Sequence, residues 1–139
     1  MEISVKDNVV IAIREYRVED FNYIHHLNSD EQWNNLVEKK DSTKSAWNNS
    51  SIAYVALHEG EIIAYIRGLT DQSITLFICE LLIHREFRGK GIGDALLQYV
   101  HGLYPDTRIE MLASSTSHTY YEQKGYRPFY GFRKTFQEH

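Results

Sequence analysis

The sequence predicts a single mixed α/β domain, and three observations carry that prediction. Short runs of β-branched and apolar residues recur between turn signals. The hydrophobic period changes from strand-like to helix-like immediately after a cluster of glycines at 88–93. With 139 residues, 42% of them hydrophobic and ten of them tyrosine, the chain has the length of one domain and can bury a core without covalent staples.

Each element follows from its residues. Residues 9–13 (VVIAI) are short and β-branched and predict a first strand. Over 18–28, Phe21, Ile24 and Leu27 or His25 fall at helical spacing, with Asp20 near the start. Ser29 followed by Gln32 fits a capping box for a second helix holding Trp33, Leu36 and Val37. Residues 48–51 are polar and turn-like. The runs 52–57 and 62–67 flank His58, Glu59, Gly60 and Glu61, which is the pattern of a hairpin. A second turn at 70–73 leads into a long strand over 74–84. From Ile92, the residues Ala95, Leu96, Tyr99, Val100 and Leu103 recur at spacings of three and four, so a helix starts just after the glycines and stops at Pro105 and Asp106. Ile109, Met111 and Ala113 alternate with Glu110 and Leu112 as another strand. Residues 114–117 offer N-caps for a short helix through Lys124, closed by Gly125. The aromatic segment 126–136 predicts a last strand or pair of strands. There is no internal repeat and no linker.

Composition excludes several classes of function. Fifteen basic residues against nineteen acidic ones give a net charge of −4. Nucleic-acid backbones and anionic membranes both require the opposite, clustered excess, so neither is an expected partner. Cys79 stands alone, so no internal disulfide forms, and one thiol is too few for a cysteine zinc site. The first eight residues mix charges and lack an apolar signal region. The longest apolar run, 74–83, is interrupted by Glu80 and is too short to span a bilayer. A soluble, cytoplasmic protein is the expectation.

The informative segment is 88–93, Arg88, Gly89, Lys90, Gly91, Ile92 and Gly93, between a strand and an amphipathic helix. Unpaired amides at a helix start and two nearby cations favour a bound anion, most naturally a phosphate or pyrophosphate. A Walker loop needs Ser or Thr after its lysine, and Gly93 is followed by Asp94. A dinucleotide fingerprint counted from Gly89 needs a glycine where Asp94 stands. The spacing that fits is Arg-x-x-Gly-x-Gly, from Arg88 through Gly91 to Gly93.

That spacing completes a resemblance. The stretch from Glu80 to Gly93 (ELLIHREFRGKGIG) resembles the coenzyme A motif of the GNAT superfamily of N-acetyltransferases, and Tyr120 to Tyr126 (YYEQKGY) is similar to that family's second hallmark. One helix and one strand separate the two, as in the family, and the element order agrees along nearly the whole chain. The resemblance implies a central, mostly antiparallel twisted sheet flanked by helices. It implies acetyl-CoA as the acetyl donor and an amine as acceptor, with no metal.

The resemblance also implies roles. Backbone amides near Leu82 and Ile83 would hold the thioester carbonyl, a term worth a few kcal/mol. Arg88, Gly89, Lys90, Gly91, Ile92 and Gly93 would bind the pyrophosphate. Ser114 stands where many relatives have a cofactor-contacting asparagine. Tyr121 matches the tyrosine that gives a proton to the departing thiolate. A phenol suits that task, although a packing role is the plain alternative in a chain this rich in tyrosine. Glu80 is the leading proton acceptor, since a carboxylate inside an apolar strand needs a cavity or a partner. A structural ion pair is the competing reading, and His84 or a water is an alternative base. Arg67 and Asp71 are candidates for the acceptor site by position only. Cys79 reads as core. The acidic residues Glu19, Asp20, Asp30 and Glu31 in the first helices favour a cationic small amine: a polyamine, an aminoglycoside or an amino sugar. A protein amino group or a non-catalytic acyl-CoA sensor are the alternatives, and the aromatic segment 126–136 is a candidate homodimer interface.

Overall fold

The structure, a computed structural model, describes residues 1–113 and 117–138. Its elements are β1 (Glu2–Ser4), β2 (Val10–Glu15), α1 (Phe21–Asp30), α2 (Asn34–Glu38), α3 (Lys40–Asn49), β3 (Ile52–His58), β4 (Glu61–Thr70), β5 (Thr75–Ile83), α4 (Ile92–Leu103), β6 (Arg108–Met111) and α5 (His118–Gln123). All six strands form one sheet in sequence order. Every neighbouring pair is antiparallel except β5 and β6, which are parallel. A parallel pair cannot be joined by a tight turn, and α4 supplies the crossover.

Strand alternation sends side chains to two helical layers. On one face Ile92, Leu96, Leu97 and Val100 of α4 pack on Ile11, Ile13, Ile52, Ile66, Leu76 and Ile78. On the other, Phe21, Ile24, Leu27 and Trp47 of α1 and α3 pack on Val55, Tyr65 and Leu82. The β3–β4 hairpin closes through Glu59 and Gly60, both at positive φ, the pair of conformations a tight hairpin needs.

The structure departs from the sequence reading in four places. Residues 2–4 form β1, in register with β2 from Glu2 and Ala12 to Ser4 and Val10. The capping box at Ser29 is not made: α1 runs on through Ser29 to Asp30, Gln32 turns the chain at φ 63°, and Trp33 caps α2 without a side-chain bond. Helix α3 forms over a stretch with no element in the sequence reading, and it takes in Asn48 and Asn49, read as part of a turn. It is almost wholly polar and buries only Thr43 and Trp47, one turn apart. Finally, 126–136 forms no strand, and Phe129, Tyr130, Phe132 and Phe136 are all exposed. Aromatic content alone does not make a strand: Pro128 and Gly131 interrupt the run, and no strand among the described residues pairs with it.

Candidate functional site

The site begins with a change in pairing along β5. Against β4 the strand is paired from Leu76 to Ile83, with one shift of register. Against β6 it is paired only from Thr75 to Ile78. Between Arg67/Glu80 and Gly68/Ile78 the β4–β5 register shifts, so Cys79 is an extra residue on β5. Such a bulge bends its strand and raises the local twist. Beyond it, the edge of residues 79–83 has no strand partner among the described residues.

Alternation decides which amides face that edge. The His84 N–H donates to the Ile63 carbonyl at 2.8 Å, toward β4. Backbone groups point to opposite sides in successive residues, so Leu82 also faces β4, whereas Leu81 and Ile83 face the gap. Of the two amides selected from the sequence, Ile83's faces the open edge. Leu82's is directed into the ladder opposite Tyr65.

An open cleft of about 440 Å³ follows this edge. Leu81, Leu82 and Ile83 form its floor, and Arg88, Gly89, Gly91, Ile92 and Gly93 one end. Gly91 is the N-cap of α4 at φ +87°, a left-handed conformation that favours glycine, and nothing lies within 4 Å of where its Cβ would stand. The turn thus leaves backbone amides at a twelve-residue helix start with open space before them. Asp94, the acidic residue of that first turn, accepts a bond from the Gln98 side chain at 2.8 Å. A Cβ added at Gly93 would stand 3.7 Å from Leu81 and 3.8 Å from Ile83, in ordinary van der Waals contact, so the helix start lies close over β5.

Both cations of the turn are held by carboxylates. The Arg88 Nε donates to the Ile83 carbonyl at 3.1 Å, and its Nη2 donates to Glu31 across the cleft. The Lys90 Nζ donates to Asp7 at 2.9 Å, and this bond holds the Asp7 carboxyl below the usual carboxylate range. Lys90 does not line the cleft, whereas Lys6 does, and the Lys6 N–H donates to the Lys90 carbonyl at 3.1 Å.

The second hallmark has a structural explanation. Gly125, at φ +90°, follows α5, and its N–H donates to the Glu122 carbonyl, while the Tyr126 N–H donates to the Tyr121 carbonyl. These two bonds are a Schellman closure, which commonly brings an apolar contact between its outer residues. Here that contact is Tyr121 on Tyr126, with ring centroids 5.5 Å apart. Tyr121 is half-buried against the α4 side of the core, and burial pushes its phenol above the ordinary value. Its neighbour Tyr120 lines the cleft, with a phenol also raised by burial. Lys124 lies over the Tyr120 ring. Ser114 lies outside the described residues.

On the α1–α3 face, Glu80 and Arg67 stand opposite each other in the ladder. Arg67 donates from Nε at 2.7 Å and from Nη2 at 2.5 Å to the two carboxylate oxygens, and from Nη1 to the Ser50 hydroxyl at 3.1 Å. The Glu80 bond raises the Arg67 guanidinium further above its ordinary range. Beside them the buried Tyr65 donates to the Asn28 amide oxygen at 2.5 Å, and burial pushes the Tyr65 phenol up. The Nδ2 of Asn28 and the Nε1 of Trp47 are buried and have no hydrogen-bond partner among the described residues.

Arg67, Glu80 and Tyr121 are not among the residues that line the cleft, and the remaining candidates also lie off it. His84 accepts a bond from the Glu86 N–H at 3.1 Å. Asp71 closes the β4–β5 turn by accepting from Ser73, Ile74 and Thr75, which holds its carboxyl at about 2. Burial pushes the half-buried Cys79 thiol up. Sequence reading missed Lys6, Trp33, Phe87, Tyr120 and Lys124 as cleft residues, and it placed Glu31 only among the acidic residues near the acceptor. Phe87, Tyr120 and Lys124 lie inside the two quoted motifs without having been singled out, whereas no local pattern marks Lys6, Trp33 or Glu31, which come from distant segments.

The acetyltransferase (GNAT) domain family matches residues 49–128, more than half of the chain, and the chain belongs to that family. No curated protein matches it in sequence. Among solved structures it is similar to a GNAT-family acetyltransferase from Streptococcus pneumoniae, with TM-score 0.75 and 19% identity over 92% of this chain and 99% of that one. A GCN5-related N-acetyltransferase from Ralstonia eutropha superposes with TM-score 0.71 and 15% identity, over 91% and 98% of the two chains. A "predicted acetyltransferase with acetyl-CoA" from Clostridium acetobutylicum does so with TM-score 0.65 and 14% identity, over 90% and 95%. The mixed sheet and its flanking helices are therefore those of an acyl-transferring family. Among the described residues no helix is long and apolar enough to cross a membrane.

Proposed function

We propose that this protein transfers the acetyl group of acetyl-CoA to a primary amine of a small cationic molecule by direct attack. The observation that carries the reading is that the unpaired edge of β5 and the glycine turn open on one cleft. The residues fit the cofactor: the space beyond Gly91 accepts a close phosphate, and the helix start supplies amides beside the cations Arg88 and Lys6. Bound acetyl-CoA supplies an activated carbonyl and a thiolate leaving group. The Ile83 N–H is the donor for the carbonyl oxygen, next to the apolar side chain of Leu82. Glu80 takes the amine proton directly or through water, with Arg67 orienting its carboxylate.

Tyr121 is the proton donor to sulfur on the family resemblance. Tyr120 is the second reading, favoured because it lines the cleft. Burial raises both phenols, so each keeps its proton at neutral pH. Thermal unfolding with acetyl-CoA at about 100 times its dissociation constant tests the cofactor, with roughly 2.7 kcal/mol of stabilisation expected. Thiol release is then followed with spermidine, kanamycin, glucosamine and a lysine peptide. Glu80→Gln is expected to lower the rate about a hundredfold or more. Tyr121→Phe and Tyr120→Phe decide between the two phenols by which one slows thiol release. Acetyl-CoA binding with no turnover of any amine, and no effect of these variants, would favour a sensor module.

A further inference from the structure

The glycine turn is the cationic end of the cleft, and its arginine is engaged by a carboxylate. Arg88 is tethered at Nε to the Ile83 carbonyl, and its Nη2 reaches across to Glu31 at the C-terminal end of α1. Glu31 and Arg88 both line the cleft, so this ion pair spans the opening that leads to the helix start. Lys90 is held in the same way from the β1–β2 loop by Asp7. The two pairs differ in setting: the Glu31 side chain is 29% exposed and that of Asp7 is 72% exposed. A carboxylate on Arg88 and a phosphate on Arg88 are alternatives, because the same guanidinium donors serve both.

We propose that Glu31 is an internal competitor for Arg88, which the cofactor's pyrophosphate must displace, so that Glu31 sets cofactor affinity. The proposal rests on the reading of the cleft as a coenzyme A site. A pyrophosphate outcompetes one carboxylate because it brings more charge and also meets the amides of the α4 start. Nothing covalent is involved. The Nε tether keeps the guanidinium at the turn while its Nη end changes partner. Asp7 acts on Lys90 in the same sense but more weakly, since exposed pairs are screened.

Isothermal titration of the full chain with coenzyme A tests this. Glu31→Gln is expected to tighten binding about two- to fivefold, the range an accessible ion pair supplies. Glu31→Ala should act in the same direction. Glu86→Gln removes an equal charge from the exposed turn that precedes Arg88 and should leave affinity within about 1.5-fold. In an Arg88→Gln background the Glu31→Gln gain should vanish, because the competed donor is gone. Unchanged or weaker binding in Glu31→Gln overturns the proposal. So does an equal gain in Glu86→Gln, or a gain that persists without Arg88. Absence of coenzyme A binding by the wild type and every variant overturns the cofactor reading itself, and this proposal with it.

Discussion

Along β5, the edge facing β4 is paired over Leu76 to Ile83, whereas the edge facing β6 is paired only over Thr75 to Ile78. The first edge continues into a hairpin and a partly buried ion pair, and its residues belong to both core clusters. The second opens on the cleft. One strand thus divides two tasks: most core contacts lie on the side where the ladder continues, and the amides open to the cleft on the side where it stops. A sheet that leaves backbone donors unpaired beside a preformed cleft is costly unless a ligand or water takes them. That cost, at the mouth of a helix start, marks the site.

Substitutions sharpen this division. Ile66→Ala, on the paired side and fully buried, should lower stability by about 2–5 kcal/mol in chemical denaturation. Gly68→Ala should follow, at about 1–3 kcal/mol, because its Cβ would meet the Phe77 carbonyl at 2.5 Å inside the β4–β5 ladder. Gly91→Ala reverses the balance. It should lose only about 1 kcal/mol of stability, from its left-handed φ, but weaken acetyl-CoA binding about tenfold or more as the methyl enters the cleft. If Gly91→Ala unfolded the protein as readily as Gly68→Ala, the division would be broken.

The acid limb probes the paired side with a smaller effect. Asp71, in the turn that feeds β5, has its carboxyl held at about 2, against an ordinary 3.8, by three backbone donors. A lowered pKa means that its stabilisation is complete above pH 3.8 and is lost as the pH falls through 2. Asp71→Ala should flatten the unfolding midpoint over that window and leave the acetyl-CoA affinity unchanged. Smallest of all is Phe132→Ala in the exposed aromatic segment, expected within about 0.5 kcal/mol of wild type.

How much was legible follows from range along the chain. The β3–β4 hairpin, β5 and α4 declare themselves because period and turn chemistry are local, and Glu59 and Gly60 adopt the positive φ values the turn needs. Helix α3 does not, since its two buried residues are too few to show a period. The aromatic run 126–136 carries propensity without a partner and forms no strand. Within the site the glycine turn was readable for the same local reason. Its counter-anions were not: Glu31 meets Arg88 across 57 residues, and Asp7 meets Lys90 across 83. The difference between Tyr120 and Tyr121 was equally hidden, because adjacent residues on a short helix point to different neighbours only once the helix is docked.

The most direct test is residue-resolved amide hydrogen exchange, by NMR, with and without acetyl-CoA. Binding at the open edge of β5 predicts new protection at Ile83 and at the start of α4. Leu82, already directed into the β4 ladder, should change little. Protection absent from Ile83, or equal at Leu82 and Ile83, would contradict the assignment of the cofactor to this edge.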